Sequence, residues 1–193
     1  SLMVTGSHIP DDRNGIKFNK PSGEILKQDE QGIAATEVEI AAGLFDAQGN
    51  AVTPVPLPEV AISAYKVYVQ RYLDFFPPAC LAGLRVGVYQ HSSVARDALM
   101  DIFAGRGAEV VALGRSEKFI PVDTEAVRPE DVALAKQWAS EQRFDCIISA
   151  DGDGDRPLVS DEHGNWLRGD VAGILCARYL GATAVATPVS SNS

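Results

Sequence analysis

The stretch that most constrains this chain runs from Asp145 to Arg156. Asp145-Cys146-Ile147-Ile148-Ser149-Ala150 is short and mostly apolar, which predicts a buried strand. Asp151-Gly152-Asp153-Gly154-Asp155-Arg156 follows it without a break. The acidic run is therefore a loop at the carboxyl end of a strand, which in open α/β sheets is where ligands bind. Three carboxylates at alternate positions repel one another and raise each other's pKa. A chain that sets them together supplies a cation, and hard divalent ions such as Mg²⁺ and Ca²⁺ take oxygen ligands of this kind. Gly152 and Gly154 let the backbone bend enough for the alternate side chains to converge.

A bland alternative is a solvated acidic turn, since Asp-Gly pairs are ordinary turn chemistry. Three aspartates and an arginine directly after a buried strand argue against it. An EF-hand loop is excluded. Asp151, Asp153, Asp155 and Glu162 fall at suitable positions, but Arg156 and Pro157 stand where glycine and the next loop residue should be. A strand also precedes the loop where a helix is required. Asp151-Gly152-Asp153-Gly154 matches the opening of a haloacid-dehalogenase-type phosphatase motif, in which the first aspartate is the nucleophile. The threonine or valine usual after that fragment is absent, so this stays a minor alternative.

Around this loop the chain alternates strand and helix. Residues 59–76 carry Ile62, Tyr65, Val69, Tyr72, Leu73 and Phe76 at helical spacing, and Pro77-Pro78 ends that helix. Leu84–Tyr89 predicts a strand. Ser92 or Ser93 then caps a helix with Val94, Ala98, Leu99, Ile102 and Phe103 on its inner face. Gly105 and Gly107 stop it, and Glu109–Leu113 is the next strand. Pro129 opens a helix with Val132, Ala135, Trp138 and Ala139 inward, and the 145–150 strand follows. This order predicts an α/β fold, a three-layer α/β/α domain with a mostly parallel sheet, flanked by incomplete pieces of neighbouring domains. Pro157–Ser160 adds a strand and 161–165 a turn. His91 and His163 read as loop and turn residues. Asp170 caps a further helix with Val171, Ile174, Leu175 and Tyr179 inward, Gly181 stops it, and 184–187 is a short strand.

Before the first long helix the pattern is looser. Gly6, Pro10 and Asn14-Gly15 are turn signals, and Ser7, His8 and Lys17 lie among them. A hydroxyl, an imidazole and an ammonium on one loop can supply a nucleophile, a base and an anion-stabilising charge, although serine and histidine are also common loop residues. Ile16–Phe18 is a short strand with a turn at 21–23. Residues 27–42 are helix-compatible but poorly periodic, and 43–58 read as a linker. The expected division is 1–58, 59–165 and 166–193. Ser1-Leu2 reads as an expression remnant, and both ends look cut through a fold, which offers faces for self-association.

Apolar residues make up 46% of the 193, enough for a substantial core. The net charge of −9 disfavours nucleic acid and anionic membranes as partners. It is compatible with a phosphorylated substrate, because a metal or a few local cations can reverse the field at one site. No apolar run approaches the ~18 residues that span a bilayer. Cys80, Cys146 and Cys176 are odd in number and far apart, so they are expected as buried reduced thiols of a cytoplasmic protein.

The two loops together resemble those of the α-D-phosphohexomutase superfamily, the phosphomannomutases and phosphoglucomutases. Its phosphoserine loop usually reads Thr-Ala/Gly-Ser-His-Asn-Pro and then Asn-Gly-x-Lys. Here it is Thr5-Gly6-Ser7-His8-Ile9-Pro10 and Asn14-Gly15-Ile16-Lys17. Its metal loop, Asp-Gly-Asp-x-Asp-Arg, is Asp151 to Arg156, and Thr187-Pro188-Val189-Ser190 is phosphomannomutase-like. Ile9 departs from the usual asparagine and removes one polar group from the loop. The resemblance implies a mutase, closest in type to the phosphomannomutases, that moves phosphate between the 1- and 6-positions of a hexose phosphate through a hexose 1,6-bisphosphate. It implies that Ser7 carries the phosphoryl group. Ser7, Asp151, Asp153 and Asp155 would hold Mg²⁺, Lys17 and His8 would serve proton transfer or charge stabilisation, and Arg156 would contact phosphate. It also implies four domains around a cleft, of which this chain covers the tail of the first, all of the second and the start of the third. Alone, such a chain could be an inactive metal-binding fragment.

Overall fold

The computed structural model describes residues 1–6 and 13–187. Two sheets organise them. The first is antiparallel: β1 (Leu2–Thr5) pairs with β2 (Gly15–Lys20), which pairs with β3 (Gly23–Glu24). Leu2, expected as a remnant, faces Phe18 in this ladder, and the Ser1 amino group donates to the Asn19 carbonyl at 2.8 Å. Helix α1 (Lys27–Ala34) follows. The helix-compatible stretch does not continue to 42, because Val38 and Ile40 are exposed and have no surface to bury.

The second sheet has the order β5-β4-β6-β7, with β4 (Arg85–Tyr89), β5 (Glu109–Leu113), β6 (Cys146–Ala150) and β7 (Pro157–Val159). The first three strands are parallel, and β7 closes one edge antiparallel to β6. Side chains alternate across the sheet. Val86, Val88 and Ile148 face α3 (Arg96–Gly105), and α2 (Ile62–Phe75) packs outside α3 through Val69, Ala98 and Ile102. Tyr89, Leu113 and Ile147 face the other way, onto Ala135 and Trp138 of α4 (Pro129–Glu141). This is the expected α/β/α sandwich. Helix α4 starts with Pro129 in its first turn, where the missing N–H costs nothing. Among the described residues no helix is long and apolar enough to cross a membrane.

Several local expectations are corrected. Helix α3 begins at Arg96, and neither serine caps its first turn. Val94 lies before it and is exposed. On α2, Ile62 and Tyr65 are exposed, and the Tyr65 hydroxyl donates to Asp101 at 2.7 Å. Asp170 lies inside α5 (Gly169–Tyr179), whose N-cap is Arg168. Val171, Ile174, Leu175 and Tyr179, expected inward, are exposed, although the Tyr179 ring lies 6.4 Å from that of Phe76. Residues 184–187 form no strand, since a strand needs a ladder and no described segment pairs with them. Cys80 and Cys176 are exposed and only Cys146 is half-buried. Cys80 sits in the turn after Pro77-Pro78 and Cys176 on the uncovered helix α5. Residues 188–190 of the phosphomannomutase-like ending lie outside the described residues.

Candidate metal and phosphoryl-transfer site

Strand β6 is buried from Ile147 to Ala150 and delivers Asp151 to the sheet's carboxyl edge with almost no exposed surface. The chain then wraps around that carboxylate. Asp151 Oδ1 accepts the amide N–H groups of Gly154, Asp155 and Arg156, each at 3.1 Å. The Asp151 N–H donates to the Arg156 carbonyl at 3.1 Å, closing the loop. Gly154 takes φ +80° at the bend, a conformation that suits glycine. Asp153 and Asp155 project from this frame. One oxygen from each of the three carboxylates lies within 4.8 Å of the others.

The antiparallel sheet meets this loop. Thr5, the last residue of β1, donates its hydroxyl to Asp153 Oδ2 at 2.6 Å. Lys17 on β2 places Nζ 3.5 Å from Asp153 Oδ2 and 3.2 Å from Asp155 Oδ2. Burial pushes the Asp153 carboxyl up, but the Thr5 hydroxyl and the Lys17 charge outweigh it and hold the group below its ordinary value. The hydrogen bond to Asp155 raises the Lys17 ammonium, with slight burial opposing. Asp153 Oδ1 is buried and receives no donor among the described residues. A buried carboxylate oxygen without a donor, converging with two further carboxylates, fits a hard divalent cation.

Beside the acids lies a cavity of about 360 Å³ lined by Thr5, Gly6, Arg13, Asn14, Phe119 and Asp153. Ser7 and His8 lie outside the described residues. Their flanks, Gly6 and Arg13, line the cavity. Of the residues singled out in the sequence, Lys17 joins the three aspartates. Arg156 turns to the rim, where Nη1 pairs with Glu125 Oε1 at 3.5 Å and Nε lies 4.0 Å from Asp155 Oδ1. His163 is an exposed turn residue, as expected.

Three contributors escape a reading of residue types. Thr5 is the motif residue whose hydroxyl reaches Asp153. His91 is a loop residue, but it is fully buried with Nε2 2.7 Å from the Ala150 carbonyl oxygen. Ser93 donates to the Asp151 carbonyl at 2.7 Å. The only sequence signal for the last two is the polar run Gln90-His91-Ser92-Ser93 directly after a buried strand.

Known proteins resemble this chain in sequence and in fold. Residues 63–164 match the family model described as phosphoglucomutase/phosphomannomutase, alpha/beta/alpha domain II. The chain is 52% identical over its 193 residues to a phosphomannomutase of Sinorhizobium fredii, of which it covers 40%. It is 47% identical to a phosphomannomutase of Salmonella muenchen, covering all of this chain and 38% of that protein. A phosphoglucosamine mutase of Geobacillus kaustophilus is 30% identical over 186 residues, covering 94% of this chain and 40% of that one. The chain thus spans about 40% of the length of these relatives. In fold it is similar to a phosphoglucomutase/phosphomannomutase family protein of Burkholderia thailandensis, with TM-score 0.66 and 23% identity over 93% of this chain and 37% of that one. With residues 63–164, more than half of its length, matched by the family model, this chain belongs to the phosphoglucomutase/phosphomannomutase family.

Proposed function

We propose that this chain carries the phosphoserine and metal loops of a phosphohexomutase acting as a phosphomannomutase. In this reading, residues 1–58 are the end of a first domain, 59–165 a second and 166–193 the start of a third. The observation that carries it is the contact between the two loops: Thr5 and Lys17, which flank Ser7, bond to Asp153 and Asp155. That contact supports Ser7 as the phosphoryl carrier beside a cation site.

Phosphorylated Ser7 gives its phosphoryl group to the free hydroxyl of a hexose 1- or 6-phosphate, forming the 1,6-bisphosphate, and the freed serine oxygen then takes the phosphoryl group from the other position, so that hexose 1- and 6-phosphates interconvert. Mg²⁺ held by Asp151, Asp153, Asp155 and the Ser7 phosphate would draw charge from the transferring phosphoryl oxygens. Asp151 anchors the loop through its amide bonds, and Thr5 orients Asp153. Lys17, kept protonated by Asp155, offsets charge that develops on phosphate oxygens. His8 serves as a second acid–base group. Arg156 is exposed enough to swing from Glu125 to a phosphate oxygen. The near-complete burial of Asp151, with one oxygen taking three amides, favours a ligand role over attack by that carboxylate. Mannose phosphates are favoured as substrates by the names of the two most similar relatives described above, and a cytoplasmic location is consistent with such substrates. In the complete enzyme, Ser7→Ala is expected to abolish interconversion of mannose 1-phosphate and mannose 6-phosphate. Turnover at the parent rate would overturn the assignment.

A further inference from the structure

We propose that Ser93 is a positioning residue for the metal loop, acting through the main chain of Asp151. This rests on reading Asp151, Asp153 and Asp155 as a cation site. The turn between β4 and α3 grips the acidic loop at successive points. His91 holds the Ala150 carbonyl at 2.7 Å, Ser93 Oγ donates to the Asp151 carbonyl at 2.7 Å, and the Val94 N–H donates to the Gly152 carbonyl at 3.0 Å. Further along, a Cβ at Gly154 would stand 2.8 Å from the Ala95 methyl, so turn and loop are in close packing there.

Ser93 is the centre of this grip. It is 1% exposed, and its hydroxyl is used twice, donating to Asp151 and accepting the Ala95 N–H at 3.2 Å. That commitment accounts for a local oddity: a serine that sequence reasoning places as a helix cap leaves α3 to begin at Arg96 without a side-chain cap. Fixing the Asp151 carbonyl fixes the plane from which its side chain departs. The Asp151 carboxylate then gathers the amides of residues 154–156 and sets where Asp155 projects. His91 supports the same strand end from a left-handed backbone, φ +29°. Since a carbonyl only accepts, Nε2 carries the proton there. The turn holds the ligand backbone in shape before any cation arrives, which is how partners of metal ligands raise affinity.

The test is Mg²⁺ titration calorimetry on the 193-residue chain. Ser160 provides the control. It is 2% exposed, accepts the Ile147 N–H at 3.0 Å and donates to the Asp161 carbonyl at 2.9 Å, so its truncation removes similar bonds away from the loop. Ser93→Ala is expected to weaken Mg²⁺ binding about 10-fold or more, while Ser160→Ala, similarly destabilised, stays within about twofold of the parent. Equal affinity in parent and Ser93→Ala, or an equal loss in both variants, overturns the proposal. No Mg²⁺ binding by the parent would overturn the cation reading itself and the proposal with it. Amide hydrogen exchange on the unmutated protein gives a measure that no folding defect can obscure. Gly154, Asp155 and Arg156 amides are expected to be protected without metal and to gain less than about threefold on saturation with Mg²⁺. A gain of about tenfold or more would mean that the ion orders the loop, against the proposal.

Discussion

Lys17 stands where a cation is wanted, and this gives a prediction with an unusual sign. Its Nζ lies 3.2 Å from Asp155 Oδ2 and 3.5 Å from Asp153 Oδ2. A Mg²⁺ ion bound to those oxygens at about 2.1 Å would lie no more than about 5.5 Å from Nζ. A single and a double positive charge at that separation repel by about 1.5 kcal/mol at the dielectric of water, and by more if the site is drier. The ammonium is 45% exposed, so it can swing away, and the water value is the appropriate scale. Lys17→Met is therefore expected to tighten Mg²⁺ binding by up to about tenfold. The same substitution is expected to slow phosphoryl transfer to Ser7, because the charge that opposes the ion also stabilises phosphate oxygens. Calorimetric titration at low and high ionic strength measures the first effect, which should shrink as salt rises. Mg²⁺ binding that is unchanged or weaker in Lys17→Met would refute the reasoning and make Lys17 an organiser of the carboxylates, not a competitor of the ion.

Two further predictions concern the structure beneath the loop. Asp131 is fully buried and accepts the Tyr89 hydroxyl at 2.9 Å and two Arg128 donors at 2.7 and 2.9 Å. Asp131→Ala is expected to cost about 3 kcal/mol in urea unfolding. It should cost about 1 kcal/mol less in a Tyr89→Phe background, where no hydroxyl is stranded. Strict additivity would contradict the assigned bond. Burial holds His91 below its ordinary 6.5, with the Ala150 carbonyl and Asp131 opposing and Arg128 and Arg96 assisting. A depressed pKa means the unfolded chain takes up the proton first, so stability is full above 6.5 and is lost as pH falls below it toward the folded value. Thermal unfolding from about pH 7.5 to about pH 5.5 should show this loss, and His91→Gln should flatten it. An unchanged slope in the variant would count against a buried neutral imidazole.

The parts of the site legible in the sequence were those that local chemistry dictates. A mostly apolar hexapeptide running into three alternate aspartates reads as a buried strand feeding an acidic loop, and β6 and Asp151 are that. Pro129 marks a helix start because its ring fixes φ and it has no N–H to satisfy, and Gly107 marks the end of α3 because it takes φ +96°, a conformation that suits glycine. The failures share a different cause. The stripe of Ile174, Leu175 and Tyr179 identifies an apolar face but carries no information on whether anything covers it, and here it is exposed. A serine before a periodic run is a common cap and would turn Val94 inward, yet Ser93 spends its hydroxyl on a strand end 58 residues away. Thr5 and Lys17 could be associated with the aspartates only through the family motif, since 148 and 136 residues separate them from Asp153.

The most direct test of the account is mass spectrometry of the protein carrying this chain after incubation with mannose 1,6-bisphosphate and Mg²⁺. The account predicts one phosphate, on Ser7, that fails to appear in Ser7→Ala and is strongly reduced when Asp151 is replaced by Asn. A phosphate found instead on Asp151, labile to hydroxylamine as an acyl phosphate, would contradict it and move the chemistry from the serine to the acidic loop.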